Sequence, residues 1–208
     1  MRALALVLLL WQAPARACDV ALSIERDSKI RARLDREARR SRVWNIAWGI
    51  VFTTATAGQL VAIATEFAPL DPYSDDTEAG YAVGAIKSGL GALTRVLLPL
   101  RVARPGPPTG DACADLAAAE AAQRRTAKLQ RRAFYMNHAG GLVVNLAGLL
   151  YLGLVQGSWK QGAISVATGY PIGLLSIYTA PRGAWHAERN VVIAPAVGYR
   201  GVSLALSW

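Results

Sequence analysis

The sequence predicts an all-α membrane protein in which four transmembrane helices form two tandem-duplicated helical hairpins. Three observations lead to this fold class. Apolar and charged blocks alternate along the 208 residues, 53% of which are hydrophobic although the mean hydropathy is only +0.25. Two cysteine-headed charged segments, at 18–42 and 113–137, each continue into an apolar segment. The two junctions, at 45–51 and 137–143, both read Asn-x-Ala-x-Gly-(Ile/Leu)-Val, which indicates an internal repeat.

This repeat sets the expected domain boundaries. The junction motif recurs after 92 residues, from 45 to 137, and the two cysteines, at 18 and 113, are 95 residues apart. The two copies therefore differ by about one helical turn. We expect the first repeat at residues 18–102 and the second at 111–180. A linker at 103–110 joins them, and its prolines and glycines exclude a helix there.

The first 17 residues have the pattern of a cleaved secretory signal. Arg2 precedes an apolar core of about nine residues, which is too short to span a bilayer. The sequence Ala15-Arg16-Ala17 gives the small-x-small pattern that precedes a cleavage point. Cleavage after Ala17 leaves Cys18 as the first residue of an exported chain. Lipidation of Cys18 is the alternative, but Ala15 and Arg16 fit a lipoprotein signal poorly.

The chain has two cysteines, and each stands at the head of one repeat. In an exported protein, Cys18 and Cys113 are expected to form a disulfide that joins the starts of the two charged helices. Two unpaired thiols in a reducing compartment are the alternative. The wide spacing of the cysteines excludes a C-x-x-C redox or zinc motif.

Each repeat opens with a charged helix, at 19–42 and at 111–137. The first contains neither glycine nor proline, and Asp111 is the expected N-cap of the second. A narrow apolar stripe on each helix predicts that the two helices pack against each other. In the first helix the stripe is Ile30, Leu34 and Ala38. In the second it is Ala118, Ala122, Thr126, Leu129 and Ala133.

Four apolar segments approach or exceed the length that a helix needs to cross a membrane, about 20 residues. They are residues 43–65, 80–102, 139–156 and 162–178. Small residues recur every four positions in the second and fourth segments, where they allow close approach of another helix. They are Gly80, Gly84, Ser88 and Ala92 in the second segment, and Ser165, Gly169 and Gly173 in the fourth.

Polar residues inside these spans are the candidate site residues: Asn45, Gln59, Lys87 and Asn145. Such groups face other helices rather than lipid, and an ionisable group at the depth of Lys87 indicates a function. The alternative is that Lys87 only fixes packing through a hydrogen bond, for example to Asn145. Arg95 is expected to extend toward the end of its span.

Two regions are expected to lie outside the helices. Residues 66–78 are interpreted as an acidic solvated turn, and residues 181–208 as a β-hairpin or extended tail. A divalent-cation site in the turn is the weaker interpretation, because the spacing of a calcium-binding loop is missing. Its ligands would be Asp71, Asp75, Asp76 and Glu78.

Signals for membrane orientation disagree. A cleaved signal places both charged helices outside the cytoplasm. The positive-inside rule places them inside, because residues 19–42 carry eight Lys/Arg and 101–138 carry seven, whereas 66–80 carry none. We favour the exported orientation, since long translocated segments follow the charge rule less strictly. Either way the two charged helices share a side, because two spans separate them.

The sequence favours a protein that is not an enzyme and holds no cofactor or metal. Its two histidines, His138 and His186, are far apart in sequence, and no phosphate loop, nucleophile elbow or zinc spacing occurs. The formal charge of +9 could suggest nucleic acid. However, the basic residues lie on helices that continue into apolar segments, so the expected partner is a lipid bilayer and not nucleic acid.

Two functions of different class remain. The first is a structural or interaction protein of a bacterial-type cell envelope, more readily of the inner membrane. Its charged helices would contact an envelope protein, lipid head groups or a second copy of the chain. The alternative is a small channel or carrier with a polar path between the duplicated hairpins. That path would be lined by Asn45, Gln59, Lys87 and Asn145.

Overall fold

A computed structural model describes residues 19–68, 73–189, 194–198 and 201–205. The predicted all-α class is confirmed, because helices make up nearly all of this part of the chain. The five helices are α1 (Val20–Ala64), α2 (Asp75–Leu97), α3 (Ala112–Leu150), α4 (Trp159–Tyr178) and α5 (Gly183–Arg189). A π-helical turn, Tyr151–Val155, extends α3. The strands β1 (Ala194–Gly198) and β2 (Gly201–Ala205) pair antiparallel. The predicted signal, 1–17, and Cys18 lie outside the described residues.

Two long helices dominate the fold. Each joins a predicted charged helix to the apolar segment that follows it, without a break. With 45 and 39 residues, α1 and α3 are about 67 and 58 Å long. Asp19 caps α1 by accepting a hydrogen bond from Leu22 N, and Asp111 caps α3, as predicted, by accepting from Cys113 N and Ala114 N. Cys113 is not a free thiol. Its predicted bridge to Cys18 stays a prediction.

The charged halves of α1 and α3 lie side by side and run parallel. Arg26 Nη2 forms an ion pair with Glu120 Oε1 at 3.1 Å, across 94 residues of sequence. Further along, Gln130 Nε2 donates to Glu37 Oε2 at 2.9 Å, across 93 residues. Nearly equal separations mean that both helices advance in the same direction. The spatial register therefore follows the 92–95-residue offset of the sequence repeat. We call this pair, residues 20–42 and 112–137, the stalk.

The packed face of α3 is rotated from the predicted stripe. Ala122 and Thr126 are buried as expected, but Ala118 and Leu129 are exposed. The neighbouring position Gln130 is buried instead, at 2% exposure. The physical reason is its hydrogen bond to Glu37, which allows a polar side chain to occupy the interface while leucine points outward.

Small residues bring α2 close to α1, as the predicted ridge requires. A Cβ atom added to Gly84 would lie 2.8 Å from Gln59 Oε1. One turn along α2, Ser88 Oγ lies 2.8 Å from Thr56 Oγ1. This packing orders α1 and α2 as one hairpin, and α3 and α4 form the other.

Several helix ends differ from the ends of the predicted segments. The second apolar helix is Asp75–Leu97, not 80–102, because Ser74 caps it and three acidic residues favour a helix N-terminus. Those acidic residues belong to the helix, not to a turn. The helix ends before Pro99, which disfavours helical geometry in the preceding residue. The third segment, 139–156, leaves regular α-helix at Leu150. The fourth, predicted at 162–178, starts three residues earlier, at Trp159.

The linker 103–110 lies along the stalk. Ala103 N donates to Thr126 Oγ1 at 3.0 Å, and Arg31 Nη1 donates to Gly106 O at 2.7 Å. At the end of the linker, Thr109 N donates to Asp115 Oδ1 at 2.8 Å. This backbone hydrogen bond is the main cause that lowers the pKa of Asp115 from its usual value. The linker is therefore attached to both stalk helices.

Residues 183–189 form a helix that the sequence analysis missed when it assigned a tail to 181–208. Helix α5 packs its Ala184 and Trp185 against Ala127 and Phe134 of α3. Ala184 is fully buried and Trp185 is 6% exposed. A helix of seven residues gives little periodic signal in a sequence, and tertiary packing stabilises it.

A buried polar network joins α1, α3 and α5. Glu37, 4% exposed, accepts from Gln130 Nε2 and from Gly183 N at 3.1 Å. Gln130 Oε1 in turn accepts from Trp185 N at 3.0 Å. A Cβ atom at residue 183 would lie 2.5 Å from Glu37 Oε1, so a larger residue there would require the Glu37 carboxylate to move. The network closes the base of the stalk and satisfies a buried carboxylate with neutral donors.

We expect Gln130→Leu to lower the free energy of unfolding by about 1–3 kcal/mol, because Glu37 and Trp185 N would each lose a buried hydrogen-bond partner. Chemical unfolding of the purified protein, followed by circular dichroism, measures this. The matched control is Gln123→Leu on the same helix, where Oε1 has no hydrogen-bond partner among the described residues. Equal losses in the two variants would contradict the role of the network.

Candidate functional site

The outer surface of the apolar helices is unusual for its hydrophobicity. Large apolar side chains that are 57–74% exposed occur on all four main helices: Ile46, Ile50, Val61, Ile86, Val96, Val143 and Leu175. In the most apolar 18-residue stretch of α1, only 6% of the residues are buried. In the corresponding stretch of α3 and its π-helical turn, 22% are buried. Two helices, α1 and α3 with its extension, are long and apolar enough to cross a membrane. The apolar stretches of these two helices are therefore mostly not buried inside the fold.

Polar groups lie on the inside, along a cavity between the two hairpins that we call the fissure. Its volume is about 720 Å³, within the range of small-molecule sites, about 300–1,000 Å³. The lining follows α2 from Thr77 to Leu98, a rise of about 32 Å. Helices α1, α3 and α4 supply the other walls.

The fissure brings together three of the four candidate residues. Gln59, Lys87 and Asn145 line it, although they come from three different helices. Asn45 lies elsewhere and has a local role. Its side chain donates to Leu100 O at 3.2 Å and accepts from Leu100 N at 3.1 Å, which holds the chain after α2 against α1.

Lys87 is bound by α4. Its Nζ donates to Ser165 O at 2.9 Å and to Ser165 Oγ at 3.0 Å. Asn145 was the predicted hydrogen-bond partner of Lys87, and the observed partner, Ser165, is different. Residues 87 and 165 are 78 apart, which is the offset between the similar tripeptides at 84–86 and 162–164. Equivalent positions of the two hairpins therefore meet at Lys87.

Asn145 leaves a buried acceptor beside Lys87. The residue is 7% exposed, and its Nδ2 donates to Gly141 O at 2.8 Å. Its Oδ1 has no hydrogen-bond partner among the described residues. A Cβ atom on Gly169 would lie 3.0 Å from Lys87 Nζ and 3.2 Å from Asn145 Oδ1. Both polar groups therefore border the same small space over Gly169.

Arg95 is a further candidate site residue, although the sequence predicts a side chain that extends toward the end of its span. Instead, its guanidinium lies over the ring of Trp44, 4.2 Å from the centroid. Its Nη2 donates to Ser176 Oγ at 3.4 Å, whereas its buried Nε has no partner in the described part of the chain. The charge pattern on α2 could have indicated this, because Lys87 and Arg95 are two helical turns apart.

The electrostatic character of the fissure is positive. Lys87 and Arg95 both line it, and no aspartate or glutamate does so among the described residues. Neutral dipoles and an aromatic ring stabilise the two cations in place of counter-ions. Buried charges without a partner of opposite sign are costly. Chemically, the fissure is therefore suited to bind an anion.

Aromatic side chains mark one end of the fissure. Trp44 Nε1 and Trp48 Nε1 both donate to Thr179 Oγ1, at 3.2 and 3.1 Å. The His138 ring packs edge-on against Phe134, with centroids 4.5 Å apart. At this level the four-helix part meets the stalk.

The described residues contain no group of three or more metal-ligating side chains. His186 stacks on Trp185 and is remote in sequence from His138. No family model matches the chain, and neither the curated proteins nor the solved structures contain a significant match.

Proposed function

We propose that the chain is an integral membrane protein whose four main helices cross the bilayer. One observation carries this proposal: the apolar helices expose large hydrophobic side chains and enclose polar ones, including Lys87 and Asn145. A soluble protein places these groups the other way round, whereas a bilayer favours this arrangement.

Helix lengths and charges support the same placement. Helices α2 and α4 have 23 and 20 residues, or about 34 and 30 Å, which matches a hydrocarbon core of about 30 Å. The acidic N-terminus of α2 marks one surface. Exposed basic residues mark the other, around the base of the stalk. This basic collar consists of Arg36, Arg39, Arg40, Arg42, Arg124, Arg125, Lys128, Arg131 and Arg132.

Within the membrane assignment, we favour a structural or interaction protein of a bacterial-type envelope, in the inner membrane. The stalk extends beyond the membrane-sized part, is fixed at its base by the Glu37 network, and exposes mostly charged side chains. Such a surface suits contact with an envelope protein, a second copy or lipid head groups. The predicted signal peptide places the stalk outside the cytoplasm.

Single cysteines introduced at both ends of the helices test the four-span topology. In intact spheroplasts, we expect a membrane-impermeant maleimide to label Arg36→Cys and Lys128→Cys on the stalk. Asp76→Cys and Gln156→Cys, at the opposite turns, should react only after permeabilisation. The parent protein controls for its own cysteines. Labelling of all four sites in intact spheroplasts would overturn the membrane assignment. Labelling of residues 76 and 156 but not of 36 and 128 would place the stalk in the cytoplasm.

Intact mass spectrometry tests export and the disulfide together. We expect the detergent-extracted protein to begin at Cys18 and to gain the mass of two hydrogens on reduction, because a Cys18–Cys113 bridge would be broken. A Cys113→Ser variant should show no such gain. A full-length chain whose mass does not change on reduction would contradict both the signal cleavage and the bridge.

The fissure favours a second candidate function, a small channel or carrier. Its lining runs the full height of α2 and contains Gln59, Lys87 and Asn145. Since the lining is positive, we expect chloride to be the better probe of a conducting path than a cation. Proteoliposomes with the protein should then release chloride faster than empty vesicles, and Lys87→Met should abolish the difference. The matched control is Lys29→Met on the stalk, and equal flux in both variants would reject this candidate.

A further inference from the structure

We propose that the fissure binds one membrane phospholipid whose head group carries both a negative charge and a hydroxyl group. The proposal rests on the membrane location proposed above and adds the ligand of the site. Three features of the fissure carry it: its uncompensated positive charge, the accessible apolar side chains along its length, and the buried acceptor Asn145 Oδ1, which has no partner among the described residues.

Uncompensated charge requires an anion. Lys87 Nζ has three N–H donors, and among the described residues it donates to Ser165 O and Ser165 Oγ. Arg95 has five donors, and its buried Nε has no acceptor within the part of the chain that the structure describes. The two residues are eight positions apart on α2, a rise of about 12 Å. A phosphate group between them would be attracted by both cations in a region of low dielectric constant.

The accessible apolar side chains indicate that the ligand comes from the lipid phase. Leu90 of α2 and Ile172 of α4 both line the fissure, and each is 45% exposed. Both lie within the apolar length of their helices. In the proposed orientation, this accessible apolar surface lies at the depth of acyl chains. A phospholipid can place its head group inside the fissure and leave its acyl chains in the bilayer. A water-soluble anion has no chains that would contact this apolar surface.

The buried acceptor Asn145 Oδ1 indicates that the ligand carries a hydroxyl group. Because Asn145 Nδ2 is fixed by Gly141 O, the amide presents its acceptor to the space over Gly169. An anion alone would be repelled by this oxygen. A hydroxyl group on the same head group would donate to it and remove the penalty of an unsatisfied buried acceptor. The basic collar at the base of the stalk supplies a surface that concentrates anionic lipids near Arg95.

Native mass spectrometry of the full-length protein in detergent tests the proposal. The probes are dioleoyl phosphatidylglycerol, which is anionic and hydroxylated, dioleoyl phosphatidylcholine, which is zwitterionic, and glycerol phosphate, which is water-soluble. We expect one phosphatidylglycerol to bind at least tenfold more tightly than phosphatidylcholine. Millimolar glycerol phosphate should not displace it.

Two substitutions act on the site in different ways. Lys87→Met removes a cation, and Gly169→Val fills the space between Lys87 and Asn145 without changing any charge. Each should reduce the preference for phosphatidylglycerol at least fivefold. Lys29→Met makes the same chemical change on the stalk, distant from the fissure, and should preserve the preference.

Three outcomes would overturn the proposal: equal binding of the two lipids to the parent protein, an unchanged preference in both fissure variants, or displacement by glycerol phosphate. The last would assign the site to a soluble anion. None of these outcomes affects the cysteine-labelling test, so failure of the ligand assignment and failure of the membrane assignment remain distinguishable.

Discussion

The parallel register of α1 and α3 is the constraint on which the other features depend. Each helix passes from charged to apolar sequence without a break, so pairing in the stalk also sets the relative depth of the apolar halves. The Arg26–Glu120 and Glu37–Gln130 contacts fix that register within one residue. Helices α2 and α4 then return beside their own partners and meet each other through side chains such as Lys87. The fissure is the space that remains between two hairpins held together mainly at one end.

Three charges lie wholly or partly inside the fold, and the carboxylate of Glu37 is stabilised in a different way from the two cations. The carboxylate of Glu37 is surrounded by donors of Gln130 and Gly183, and Arg40 lies 3.9 Å away. The Glu37 carboxylate therefore does not need a ligand to satisfy it. The cations of Lys87 and Arg95 line a cavity and instead have neutral acceptors and an aromatic ring, and Arg95 Nε has no partner among the described residues. A saturated network fixes geometry, whereas an unsaturated one is available for binding.

Sequence patterns predicted the features that are local or periodic. The sequence signals the capping by Asp111, the small-residue ridge at Gly84 and Ser88, and the position of Lys87 between helices. The pairing of Glu37 with Gln130 has none, because both residues lie in charged runs that look solvated and are 93 residues apart. Because the sequence does not signal this contact, it also does not signal the packed face of α3 or helix α5. Gly183 and Trp185 hydrogen-bond to the same two side chains. The start of α2 differs from the prediction because acidic residues are typical of solvated turns as well as of helix N-termini.

The Lys87–Ser165 contact has a consequence for how such a protein can be assembled. Where equivalent positions of two parallel hairpins touch, a pseudo-twofold axis passes between them. A homodimer of two identical first hairpins would therefore place one ammonium group against another, an arrangement that like charges disfavour. Fusion of two hairpins into one chain removes this restriction, because one copy can carry lysine while the other carries serine. A single lysine at this contact is thus a property of an unequal pair of hairpins, which a fused chain can encode.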